Sequence, residues 1–314
     1  MDKPGTPFVE KYRPVKFDDI VLDPLNRRIF KNIMDTGHFP NLLLHGPPGT
    51  GKTTTIINLI NSYQEKFNQR NNELIIHLNA SDERGIDIIR SQINQFVNSK
   101  TLFNKGMKFV ILDEVDYMTK NAQQALRYLL QKYINSVRFC LICNYISRID
   151  EGLLNEFVRF RFNQLPEKAI VNFLEKISLS ENLNLNKKTL YLIQKLHNSD
   201  IRSMINFIQS NQNIKEDTIN IIDNIVWNNL YIKIKEGHDV ISLSLIVNEI
   251  SIKYNIDKKN IIKDFLNYMI RNCEITNITE FLNFVENIIH FENCKHTYYV
   301  IYLLSKISTL LKVP

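Results

Sequence analysis

Four short stretches hold residues suited to phosphate chemistry. The first is "LLLHGPPGTGKTTT", residues 42–55, in which Gly46-Pro47-Pro48-Gly49-Thr50-Gly51-Lys52-Thr53 fits the pattern GxxxxGK[ST]. Glycines at this spacing let backbone N–H groups curl around phosphate oxygens, and a helix starting at the lysine adds the positive end of its dipole. Lys52 would reach the β- and γ-phosphates, and Thr53, followed by Thr54, would place its hydroxyl on Mg²⁺. The second stretch, "FVILDEVD", carries Asp113 to the end of a four-residue apolar run about sixty residues later. Asp113 would hold the Mg²⁺ shell, and Glu114 would polarise a water for attack on the γ-phosphate. In the third, "FCLICN", Asn144 ends an apolar run, where its amide would lie beside the phosphate loop and orient that water. Arg202, in "NSDIRSM", opens a helix from which it could reach back to the γ-phosphate. The Asp-Glu order argues for hydrolysis, since no cluster of lid arginines suggests transfer to a small molecule.

These residues need strands to deliver them and helices to cover the strands. "NLLLHG", "ELIIHLNA", "KFVILDEVD", "RFCLICNY" and "FVRFRF" read as five strands, and the segments between the first four carry apolar residues at helical spacing. Strands alternating with helices imply an α/β fold: a parallel sheet with helices on both faces, over residues 1–164. After Leu165 the pattern is helical. "PEKAIVNFLEKISLSENL", "NKKTLYLIQKLHNSDIRSMINFIQS" and "KEDTINIIDNIVW" suggest a small helical lid over residues 165–227. Residues 228–314 are helical again, rich in Ile, Leu, Phe and Tyr, and without a catalytic-looking cluster. The expected order is therefore an α/β nucleotide domain, a lid and an all-α domain.

The chain has 314 residues with a formal net charge of +6. Residues 1–164 carry 22 basic against 17 acidic side chains, so most of the excess lies with the phosphate loop, compatible with a nucleic-acid partner. Cys140 and Cys143 form a CxxC, but no second pair follows at zinc spacing, and the pattern reads as core cysteines of a strand. No apolar run reaches membrane-spanning length and no apolar signal region opens the sequence, so the expectation is a soluble, intracellular protein without a membrane partner. Arg84 and Arg90 bracket the start of the helix in "DERGIDIIRSQ", and Arg148 follows Asn144 closely. A helix N-terminus and arginines suit DNA backbone phosphates, which fix position without reading bases.

Taken in order, "PFVEKYRP" (7–14), the phosphate loop, "LNASDERGID" (78–87), "ILDEVD" (111–116), "NAQQALR" (121–127) and "RFCLICNYISRI" (138–149) resemble the boxes of the small subunits of replication factor C, the AAA+ clamp loader. "VEKYRP" and "NASDERGID" are the specific markers. The resemblance implies that Val9, Arg13 and Val21 lie around the base and ribose of ATP and that residues 46–54 hold its phosphates. Asn144 and Arg202 would be the first and second sensors, and the all-α domain a collar joining subunits into a hetero-pentameric arc. The implied partners are other clamp-loader subunits, the sliding clamp and primer–template DNA. The implied location is the nucleus of a cellular eukaryote, or the cytoplasm or replication site of a large DNA virus.

Two departures accompany the resemblance. The second sensor has Ser199-Asp200-Ile201-Arg202 where the family usually has Gly before Asp, and the arginine is kept. Just before the fifth strand the family carries Ser-Arg-Cys, whose arginine reaches a neighbour's ATP site, whereas this chain has Asn155-Glu156-Phe157. Arg159 and Arg161 alternate with Phe160 and Phe162 and would share one side of that strand. Two other readings compete: a different AAA+ motor or remodeller, which lacks the two markers, and a non-hydrolysing scaffold subunit, which Lys52, Thr53, Asp113 and Glu114 argue against.

Overall fold

The computed structural model describes residues 5–80, 86–99, 106–134, 136–183, 185–212, 222–254, 256–273, 275, 277–289 and 296–311. The chain divides into two compact units, residues 1–214 and 215–314. The first begins with a one-turn helix, α1 (Phe8–Lys11), and a longer one, α2 (Pro24–Thr36). Local chemistry sets the limits of α2. Asp23 accepts hydrogen bonds from the Leu25 and Asn26 N–H groups, Pro24 occupies the first turn, and Gly37 ends the helix in the left-handed region at φ 71°.

Then follow β1 (Leu42–His45), α3 (Lys52–Lys66), β2 (Ile75–Asn79), α4 (Ile86–Asn98), β3 (Lys108–Asp113), α5 (Lys120–Lys132), β4 (Val137–Cys143), α6 (Glu151–Leu154) and β5 (Val158–Arg161). The five strands form one parallel sheet in the order β2-β3-β4-β1-β5. Period-two alternation divides their side chains between two cores. Leu42, Leu44, Phe109, Ile111, Cys140, Ile142 and Phe160 pack with Phe30 and Ile33 of α2 and Ile56, Leu59, Ile60 and Tyr63 of α3. Leu43, Val110, Leu112, Phe139, Leu141 and Cys143 pack on the other face with Ile93 of α4, Leu126, Leu129 and Leu130 of α5, and Leu153 of α6. Burial on both faces explains why the central strands are unbroken apolar runs. Each such side chain contributes ~1.5–3 kcal/mol through burial. Cys140 and Cys143 are free, buried and assigned to opposite cores, so they pack as apolar residues. Burial pushes the Cys143 thiol up to about 12, helped by the nearby Asp116 carboxylate.

The unit continues with α7 (Glu167–Ser180), α8 (Lys187–His197) and α9 (Ile201–Ser210). Arg202 stands in the first turn of a helix, as expected, because the chain breaks between α8 and α9. Asn198 adopts φ 53°, and Asp200 caps α9 by accepting the Ser203 N–H at 3.0 Å and the Ser203 hydroxyl at 2.8 Å. The second unit contains α10 (Asn224–Lys235), α11 (Val240–Tyr254), α12 (Lys258–Asn272), α13 (Ile278–Ile289) and α14 (His296–Leu311). Its core runs from Trp227 and Leu230 of α10 through Leu243, Phe265, Phe281 and Leu304. The expected boundary at 227/228 therefore falls inside α10. Trp227 and Leu230 stand three residues apart on one stripe and pack into the same core, so that core begins before residue 228.

Candidate active site

The phosphate loop links the buried end of β1 to the first turn of α3, at the carboxyl ends of the strands. Its glycines have definite steric tasks. Gly46 adopts φ 145°, and a Cβ there would lie 1.8 Å from the Phe162 carbonyl oxygen; one at Gly49, φ 74°, would lie 1.8 Å from Asp200 Oδ1. Gly51, φ 86°, sits at the N-cap of α3. Gly49 is fixed from the start of α9 as well, because its carbonyl accepts the Ile201 N–H at 3.1 Å. Thr50 closes the loop by donating to the Pro47 carbonyl at 2.9 Å.

Lys52 is 7% exposed and donates from Nζ to the Gly46 and Pro47 carbonyls, both at 2.8 Å, and to Asn144 Oδ1 at 2.9 Å. Burial lowers its pKa below the usual lysine value, while Asp113, Cys143 and Asp116 oppose that shift. Thr53 donates its hydroxyl to Asp113 Oδ2 at 2.8 Å, and the Glu114 N–H reaches Asp113 Oδ1 at 2.9 Å. A hydroxyl and a carboxylate at this separation form a hard-oxygen pair that suits Mg²⁺. Glu114 itself adopts φ 57°, an uncommon conformation for a side chain with a Cβ, directly after the strand. The strand pairing thus joins three expected residues, since β1 and β4 are neighbours and β3 pairs with β4.

The loop opens into a cavity of about 380 Å³. Val9, Arg13, Val21, Pro48 to Thr54, Asp113, Glu114, Asn144 and Arg202 of α9 are among the residues that line it. Gly46 and Pro47 enter through the lysine contacts. Arg84 lies outside the described residues, and of Arg90 only the backbone, within α4, is described. Arg148 is exposed on the turn Ile146–Arg148.

Sequence reasoning passed over several contributors. Tyr12, Pro14, Ile20, Phe173, Ile201 and Ile205 also line the cavity. The Tyr12 hydroxyl donates to Glu181, Lys11 pairs with Glu181 at 2.6 Å, and the Phe8 N–H donates to Gln209 Oε1 at 2.9 Å, so the N-terminal segment is tied to α7 and α9. Asn58 of α3 donates to the Pro14 carbonyl at 2.8 Å and ties the same segment to the sheet. Asp116 is 4% exposed and accepts the Asn144 and Tyr145 N–H groups on Oδ2 at 3.3 and 3.2 Å. Its only sequence signal is its place as the last acid of "LDEVD".

A parallel sheet with a glycine-rich loop, a buried lysine and a strand-end Asp-Glu pair defines a P-loop nucleotide-binding protein. Residues 42–165 match the family described as ATPase family associated with various cellular activities (AAA). Replication factor C small subunit 2 of Pyrobaculum islandicum is 39% identical over 217 residues, covering 68% of this chain and 67% of that protein. Replication factor C subunit 3 of Saccharomyces cerevisiae is 39% identical over 208 residues, 66% of this chain and 60% of that protein. The human replication factor C subunit 5 is 40% identical over 205 residues, 65% and 59% respectively. This chain belongs to the replication factor C small-subunit family, and its match spans about three fifths of the length of these eukaryotic relatives. Among solved structures, the RuvB Holliday junction branch migration motor of Thermotoga maritima superposes with a TM-score of 0.52 over 83% of this chain and 91% of that chain at 13% identity, a likeness of fold. None of the described helices is long and apolar enough to cross a membrane.

Proposed function

We propose that this chain is an ATP-binding and ATP-hydrolysing subunit of a clamp loader, which opens a sliding clamp and places it on primer–template DNA. The observation that carries the reading is the convergence of Lys52, Asn144, Thr53 and Asp113 at the phosphate loop, which lines one cavity together with Val9, Arg13 and Val21. Val9, Arg13 and Val21 suit the base and ribose, and residues 46–54 the phosphates. Lys52 exchanges its two carbonyl partners for phosphate oxygens. Thr53 and Asp113 would hold Mg²⁺, which when bound would supply positive charge to offset that of the phosphates. Glu114 takes the proton of a water whose oxygen bonds to the γ-phosphorus, and the bond to the β-phosphate oxygen breaks to release ADP. Asn144 orients that water, and Arg202 contacts the γ-phosphate from the lid.

The proposed organisation is an ATPase domain over residues 1–164, a lid from 165, and a collar that starts ahead of α10 and holds the subunits of a hetero-pentamer together. Arg84, Arg90 and Arg148 contact DNA phosphates. The location follows the host, nuclear in a cellular eukaryote and cytoplasmic or at a replication site for a large DNA virus. Co-purification from the host tests the assembly. Other clamp-loader subunits and a ring-shaped clamp are expected, and a homo-hexamer without them contradicts the proposal.

Glu156 supports a second element. It accepts from Gln131 Nε2 at 3.2 Å and lies 3.7 Å from Arg127 Nε, so it is held by its own chain. A carboxylate where relatives carry a finger arginine repels the charge that such an arginine neutralises, an effect worth ~10³–10⁵ in rate. The neighbour's site that this subunit completes is therefore slow or silent. In a reconstituted complex, Glu156→Arg should raise DNA-stimulated turnover at that neighbouring site. If that site already turns over in the unmodified complex and Arg159→Ala stops it, then Arg159 is the finger and the silent-site assignment is wrong.

A further inference from the structure

Two exposed turns beside the site hold an arrangement that ATP chemistry does not use. Tyr117 ends the turn Val115–Tyr117, directly after Glu114, while Tyr145 and Arg148 follow Asn144. The Arg148 guanidinium carbon lies 5.1 Å from the centroid of the Tyr145 ring and 5.8 Å from that of Tyr117. Both rings are 57% exposed. Among the described residues, no carboxylate lies within ion-pair distance of Arg148, and the adjacent Asp150 is engaged in accepting the Leu153 N–H at 3.3 Å.

The backbone beneath this cluster is fixed by buried side chains. Asp116 holds the Asn144 and Tyr145 N–H groups, as described above, and its Oδ1 is buried without a partner. Gln123, 2% exposed, donates to the Met118 and Arg148 carbonyls at 3.2 and 3.1 Å and accepts the Asp150 N–H at 2.6 Å. Both turns are therefore anchored by buried side chains, and both rings lie within cation–π distance of the arginine. A guanidinium held against aromatic faces keeps its charge and its N–H edge, and it has already lost part of the rotamer freedom that binding removes. An exposed, pre-positioned fork of donors fits a phosphate diester.

We propose that Tyr117 and Tyr145 are positioning residues that hold Arg148 as a fixed donor to a backbone phosphate of DNA. This rests on the DNA-binding part of the proposed function and adds the residues that orient the contact. A phosphate partner is favoured over an acidic peptide by the positive excess of residues 1–164 and by the ring-supported guanidinium fork of Arg148.

The test is binding of a fluorescent primer–template duplex to the full chain across a salt series. Arg148→Ala should weaken binding about 3–10-fold and reduce the log–log salt slope by about one. Replacing both tyrosines by leucine should reproduce that loss and that slope change, while replacing both by phenylalanine should leave binding close to wild type, since the rings remain. Adding Arg148→Ala to the leucine pair should cost nothing further. Leucine variants with unchanged affinity and slope overturn the inference alone, as does full additivity with Arg148→Ala. Equal displacement of the duplex by polyglutamate of matched charge overturns the assignment of the partner as DNA at this surface. Absence of duplex binding by the wild-type chain at about 50 mM salt overturns the DNA reading and this inference together.

Discussion

The two compact units bury different chemistry. Residues 1–214 bury Thr50, Lys52, Thr55, Asn58, Gln64, Lys108, Asp116, Gln123 and further polar side chains, whereas the described residues of 215–314 bury only Ser308 among polar ones. Burying a polar group costs free energy unless it is hydrogen-bonded. The first unit meets that condition with specific bonds, such as those of Lys52 to two carbonyls and Asn144, and of Lys108 to the carbonyls of Phe96 and Val97 at the end of α4. The second unit is held by packing of Trp227, Phe265, Phe281 and their neighbours. The two buried lysines differ in setting: Lys108 closes the end of a helix, whereas Lys52 sits on a loop of three positive-φ glycines and lines a cavity.

Substitutions on the two sides of this comparison should fail differently. Lys52→Ala should abolish measurable ATP binding, a loss of about 2–5 kcal/mol, because it removes the only described cation bonded to the loop carbonyls. Equilibrium binding of a labelled ATP analogue checks this, and retained affinity would remove Lys52 from the site. Phe265→Ala, in the second unit, should cost about 3–5 kcal/mol of stability by leaving a cavity at a fully buried position, and should leave ATP affinity unchanged. Denaturant unfolding followed with and without nucleotide separates the two, and a parallel loss of affinity would break the division of labour. The smallest effect concerns two of the arginines proposed to contact DNA. Arg84→Ala with Arg90→Ala should weaken DNA binding alike for all sequences and lower the salt slope by about two. A sequence-selective loss would show that the contacts read bases.

Much of the first unit was legible because its strands are written in unbroken apolar runs and its loop in glycines. Even β5 could be read, since Phe160 and Phe162 are buried and Arg159 and Arg161 exposed, as their alternation requires. What stayed hidden depends on contacts distant in sequence. Tyr12 meets Glu181 across 169 residues, and no local pattern encodes that pair, whereas Asn144, 92 residues from Lys52, was placed beside the phosphate loop by its position at a strand end. The break between α8 and α9 was legible from Arg202 as the opening of a helix, but the cap that makes it, the Asp200 carboxylate on the Ser203 N–H, was not. The start of the second unit was misplaced because helical spacing continues across 227/228, and only the shared core of Trp227 and Leu230 shows to which unit α10 belongs.

The central claim is that this chain hydrolyses the nucleotide it binds, with Glu114 as the base. Carboxylate and amide have nearly the same shape, so Glu114→Gln removes proton acceptance while leaving Lys52, Thr53 and Asp113 in place. Single-turnover hydrolysis in the reconstituted complex, with site occupancy measured in parallel, should show ATP bound as in the wild type and cleavage slowed by about 10²–10⁴-fold. Loss of ATP binding together with turnover would make Glu114 a structural residue, and cleavage at the wild-type rate would contradict the account.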